Sequence, residues 1–166
     1  MNKLAVALVA AIAVPAAAQN GAAWPVTANG RVCTAVQSVV DSGSGRLSVT
    51  YDAGAQEITL TSTGTVASPL PASGAIDLDL VLLDNGATKY DNMWATRHLT
   101  YTRAGDEVVF TTRFSGKENV AQILADLAAS RRIGFLQKGE PILDHPLAGL
   151  AAAIPQLKAC AVKAAA

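Results

Sequence analysis

From Arg46 to Phe114, apolar and polar residues alternate with a period of two, in one short run after another. Leu47, Val49 and Tyr51 share one side of the first run, with Ser48 and Thr50 on the other. Ile58 and Leu60 repeat the pattern, and Ile76, Leu78, Leu80 and Leu82 then alternate with Asp77 and Asp79. In an extended chain successive side chains point to opposite faces, so each run reads as a strand with one face buried and one wet. Asp41-Ser42-Gly43-Ser44-Gly45, Asp84-Asn85-Gly86 and Ala104-Gly105 are turn signals, and Gly64 to Gly74, with Pro69 and Pro71, reads as a loop. Short strands at this spacing predict an antiparallel β-sandwich or partly open barrel.

The last third changes period. Val120, Ile123, Leu124 and Leu127 recur at helical spacing, and Ser115 with Glu118 has the S-x-x-E spacing of a capping box. Arg132 to Lys138 returns as a strand with Ile133 and Phe135 inward. Asp144 is placed to cap a second helix opened by Pro146, whose stripe is Leu147, Leu150, Ile154, Leu157 and Ala161. The expected fold class is mainly β with C-terminal helices (α+β), the sheet covered by two helices.

The first residues carry an export pattern. Lys3 precedes an apolar run from Leu4 to Val14, Pro15 breaks it, and Ala16-Ala17-Ala18 offers a cleavage site before Gln19. The run is shorter than the about 20 residues that cross a bilayer. Residues 1–18 are therefore expected to be a signal peptide, and 19–166 a single β-rich domain in the periplasm or secreted medium. Without Lys3 the remaining 148 residues hold twelve basic and thirteen acidic side chains, a formal charge of −1. No basic stripe exists, which argues against nucleic acid as a partner. No second long apolar stretch exists, so no transmembrane segment is expected beyond the signal. Cys33 and Cys160 are expected to form one disulfide, because an even pair in an exported chain reads first as a bridge. Neither has a C-x-x-C partner or a histidine at ligand spacing, so no metal or cofactor is expected.

Taking Ala104-Gly105 as a two-residue turn sets Leu99 opposite Phe110 and His98 opposite Thr111. Trp94, Thr96, His98, Thr111 and Arg113 then gather on the face away from the core. That face offers donors, an imidazole and an aromatic ring, suited to a small polar or anionic ligand or to an unknown protein partner. A solvated, threonine-rich strand face accounts for the same residues, since threonine suits exposed strand positions. His145, between Asp144 and Pro146, reads as a surface or capping residue at a helix start. No G-x-S-x-G, S-x-x-K or H-E-x-x-H occurs, and no catalytic residue is assigned.

The order of features resembles the invasion-associated locus B family of exported bacterial proteins. Trp24-Pro25-Val26 with Cys33 carries the likeness early, and Val120 to Leu127, Ile133-Gly134-Phe135 and Pro146 to Leu150 carry it later. The resemblance implies a periplasmic or secreted, non-enzymatic β-sandwich-like protein and supplies no catalytic residues. The leading expectation is an exported non-enzymatic binding or interaction protein of the bacterial envelope. A small secreted hydrolase using His98 or His145, or an envelope structural protein, are the alternatives.

Overall fold

The period-two runs form strands, and most of them pair with their neighbours in sequence. The computed structural model describes residues 23–38, 45–66, 70–83 and 93–165. The expected signal segment and the turns at 41–44 and 84–86 lie outside these residues. Among the described residues the strands are β1 (Val26–Asn29), β2 (Val32–Val36), β3 (Arg46–Asp52), β4 (Glu57–Thr65), β5 (Ser73–Leu83), β6 (Met93–Ala104), β7 (Glu107–Ser115), β8 (Arg132–Gln137) and β9 (Glu140–Pro146). Helix α1 (Lys117–Ala129) connects β7 to β8, and α2 (Leu150–Ala164) follows β9. All strands belong to one open antiparallel sheet in the order β1-β2-β3-β4-β7-β6-β5-β8-β9. The expected mainly-β, α+β class holds.

The alternation seen in sequence becomes two chemically distinct faces. On the inner face Cys33, Tyr51, Ile58 and Phe114 stand in one row across β2, β3, β4 and β7, with Ala35, Val49, Leu60 and Thr112 in the next. All eight are buried. The outer face carries Thr34, Thr50, Thr59 and Arg113 in one row, and Ser48, Thr61, Thr111 and Thr100 in another. Helix α2 lays Leu150, Ile154, Leu157 and Ala161 on the inner side of β1–β3, and α1 packs against α2, β7 and β4. The Cys33–Cys160 disulfide ties β2 to α2 with the two Cα atoms 6.0 Å apart. Trp24 is buried and donates from Nε1 to the Ala148 carbonyl at 2.9 Å.

Three local expectations are corrected. The β6–β7 loop is Gly105-Asp106, because Ala104 pairs with Glu107. Gly105 takes a positive φ of 64° and Asp106 does not, the pattern of a type II′ turn. The change moves each partner by two positions, so the faces survive but the pairs do not: Tyr101 faces Phe110 and Thr100 faces Thr111. The capping box does not form either. Ser115 is held in the β4–β7 ladder opposite Glu57, leaving Gly116 as the N-cap with no side-chain bond.

The third correction concerns Asp144 and His145, which lie in a strand rather than at a helix start. Lys138 and Gly139 both adopt positive φ, 53° and 85°, and form the tight loop of a β8–β9 hairpin. Leu143, His145 and Leu147 then alternate inward, while Asp144 turns outward and accepts a two-pronged bond from Arg132. Helix α2 starts later, at Leu150. The sheet curls so that β9 lies on the inner face of β4. A Cβ at Gly64 would sit 2.5 Å from Leu143 Cδ2, so a side chain there would force the Leu143 methyls to shift.

Candidate functional site

The β6–β7 ladder runs from Ala104↔Glu107 only as far as Thr100↔Thr111. Beyond that point β6 stays paired with β5 and β7 stays paired with β4. The two strands part, and a cleft of about 510 Å³ opens between them, lined by Arg97, His98, Thr100, Thr111, Thr112 and Arg113. Its size falls within the range of sites that hold small ligands. Because it passes between strands, it collects residues from both faces of the sheet. His98, Thr100, Thr111 and Arg113 come from the outer face, and Arg97 and Thr112 from the inner parity.

The lining is basic and rich in hydroxyls, with no carboxylate among its described residues. Its acids stand at the margins. His98 Nδ1 is 2.7 Å from Asp77 Oδ1, and Asp77 is its partner across the β5–β6 ladder. Arg113 Nε is 3.9 Å from Glu57 Oε1, a loose contact at an exposed side chain. Such surface pairs add little to stability. Arg97 differs from both. Its guanidinium carbon stands 4.3 Å from the centre of the Phe114 ring, and its Nε is buried with no hydrogen-bond partner.

Of the five residues expected to share a face, the structure brings His98, Thr111 and Arg113 together in the cleft. Thr96 lies farther along β6, where its hydroxyl donates to Asp79 Oδ1 at 2.7 Å. Trp94 is corrected to the other side of the sheet. The β5–β6 register slips there, with Leu80 opposite Ala95 and Val81 opposite Met93, so Trp94 is an unpaired bulge residue. The bulge turns its ring toward the core, 5.5 Å from Phe114, and Nε1 donates to Asp126 Oδ2 of α1 at 3.0 Å. Alternation cannot foresee a bulge, since one extra residue inverts the parity. Arg97 was legible as an anomaly: it shares the parity of buried Leu99, where a charge is out of place.

A second polar cluster lies inside the fold. Ser62 Oγ and His145 Nε2 are 2.6 Å apart, and neither residue reaches solvent. Burial lowers the His145 pKa to about 4; the Asp144 carboxylate opposes that shift and the Arg132 guanidinium adds to it. A serine hydroxyl against an imidazole is two-thirds of a hydrolytic triad, yet Nδ1 of His145 has no partner. Asp144, adjacent in sequence, is engaged on the other face with Arg132. Among the described residues the pair has neither an orienting acid nor a path for a substrate. Its signal in the sequence was the inward alternation of Leu143, His145 and Leu147 after a Lys-Gly turn.

Among the described residues no helix is long and apolar enough to cross a membrane, and no three metal-ligating side chains come together. Comparison with known proteins returned nothing: no family model matches, and neither does a curated protein or a solved structure.

Proposed function

We propose that this chain is an exported, non-enzymatic binding protein of the bacterial envelope, and that the cleft between β6 and β7 receives a small polar ligand. The parting of the two strands beyond Thr100 and Thr111 carries the reading, because it gathers six polar residues around one concavity. Two observations support export. The first residues have the charge, apolar run and small-residue site of a signal peptide. The disulfide joins residues 127 apart and fits an oxidising compartment. The resemblance to the invasion-associated locus B family belongs to the same proposal and points to the same compartment.

Expression with the leader intact, followed by mass measurement of the mature protein, tests export: a mature chain starting near Gln19 is expected. Binding is tested by recording amide spectra of that protein against a panel of small polar metabolites. Shifts that cluster at Thr100, Thr111 and Thr112, and vanish in a His98→Ala, Arg113→Ala variant, are expected. A ligand whose shifts map elsewhere, or turnover of an ester, peptide or glycoside substrate, would overturn the assignment.

A further inference from the structure

Resting on that reading, we infer that the cleft selects an oxyanion, a carboxylate or phosphate on a small ligand, and that Arg97 is its anchor. The argument begins with where Arg97 sits. On β6 it shares a face with Leu99, which is fully buried, and it is itself half-buried. Its guanidinium carbon lies over the Phe114 ring, a contact that uses no N–H donor. No carboxylate among the described residues pairs with it, whereas His98 has Asp77 and Arg113 has Glu57. The buried Nε is left without an acceptor. A buried donor with no acceptor is costly, and more so when charged, so the fold keeps this one at the expense of stability.

That burial also puts Nε out of reach of the cleft, so an oxyanion there is met by the Nη edge of the guanidinium. A planar guanidinium presents a fork of donors that matches two oxygens of a carboxylate or phosphate. Thr100 and Thr111, directly paired at the closed end of the cleft, add two hydroxyls, and Arg113 adds a second positive charge at the open end. No acid lies in the described lining, and Asp77 and Glu57 at its margins each face a neighbouring side chain, His98 and Arg113.

The test titrates the mature, disulfide-bonded protein with inorganic phosphate, with acetate and with glucose, at ionic strength matched by sodium chloride, and follows the amides of Thr100, Thr111 and Thr112. Saturable shifts with phosphate or acetate are expected, and comparing the two separates a tetrahedral from a planar anion. Arg97→Met, which keeps an apolar contact with Phe114, is expected to weaken binding by about tenfold or more, the value of a charge-assisted bond. Arg97→Lys, with charge but no fork, is expected to recover only part of it. If Arg97→Met fails to fold, Arg113→Gln decides at an exposed position, and an unchanged affinity there overturns the inference. Shifts with glucose alone would discard the anion while leaving the cleft a binding site. Shifts with none of the three probes, or equal shifts with chloride, would discard the anion outright.

Discussion

Ser62 Oγ lies 2.6 Å from His145 Nε2 and joins β4 to β9, strands that four others separate in the sheet. The contact belongs to a polar seam along β9. Gln37 Nε2 donates to the Pro146 carbonyl at 3.1 Å, so β9 is fastened to the end of β2 as well as to β4. Both tautomers of His145 leave Nδ1 unmatched, as a bare lone pair or a bare N–H. The seam tolerates a neutral imidazole and has no acceptor for a second proton.

That geometry makes stability depend on pH. The native imidazole titrates at about 4 against an ordinary value of 6.5. Between these values the unfolded chain binds a proton that the native chain refuses, so stability is complete above the window and falls as pH drops through it. The full loss is about 3 kcal/mol. Asp52, whose carboxyl is held low chiefly by the Ala55 backbone N–H, acts only below its ordinary 3.8 and lies outside this range. Urea midpoints recorded across the window should decline for the native protein and stay level for His145→Leu. A parallel decline in both proteins would assign the effect to other groups.

Removing one partner of the seam should cost more than removing both. Ser62→Ala strands a buried ring nitrogen and is expected to destabilise by about 1–3 kcal/mol. In the double variant Ser62→Ala, His145→Leu the polar requirement disappears, and part of that loss should return. Equilibrium unfolding at neutral pH measures all four corners of the cycle. Strict additivity would mean that the two side chains do not interact.

Reduction of the disulfide should loosen α2 before the sheet. In the chain-entropy account a bridge spanning 127 residues limits the unfolded ensemble by at most about 5 kcal/mol. Cys33→Ala, Cys160→Ala is expected to lower the unfolding midpoint and to raise amide exchange first in α2. Uniform exchange across the sheet and helix would show that α2 and the sheet open together.

Trp94 offers a test of placement. Trp94→Phe keeps the ring against Phe114 but loses the bond to Asp126, with an expected cost of about 1 kcal/mol. Because Trp94 does not line the cleft, and the Phe ring keeps the contact with Phe114, phosphate binding there should stay unchanged. A loss of binding without a loss of stability would return Trp94 to the ligand face.

Much of this architecture was legible because burial imposes a period. Val49, Leu60, Phe110 and Leu124 fall where alternation or helical spacing puts them, and all are buried. The site was only half legible. His98, Thr111 and Arg113 follow from parity, but Trp94 does not, because it sits at a bulge, and parity puts Arg97 on the inner face without showing the cleft beside it. His145 was misplaced for a further reason: Asp144 and Pro146 suit a helix start locally, and only the β8–β9 hairpin gives the segment a strand to pair with.

The division follows the range of the forces involved. Alternation, helical spacing and the distant cysteine pair are properties of the chain itself, and they determined the element types, the buried faces and the covalent link between the ends. Registers, bulges and the curl that sets β9 on β4 arise from contacts between segments far apart in sequence. Pairing energies that differ by a residue or two of slip are settled by packing across the whole sheet. The tertiary structure alone therefore decided that β6 and β7 separate after Thr100, and that Arg97 faces the gap they leave.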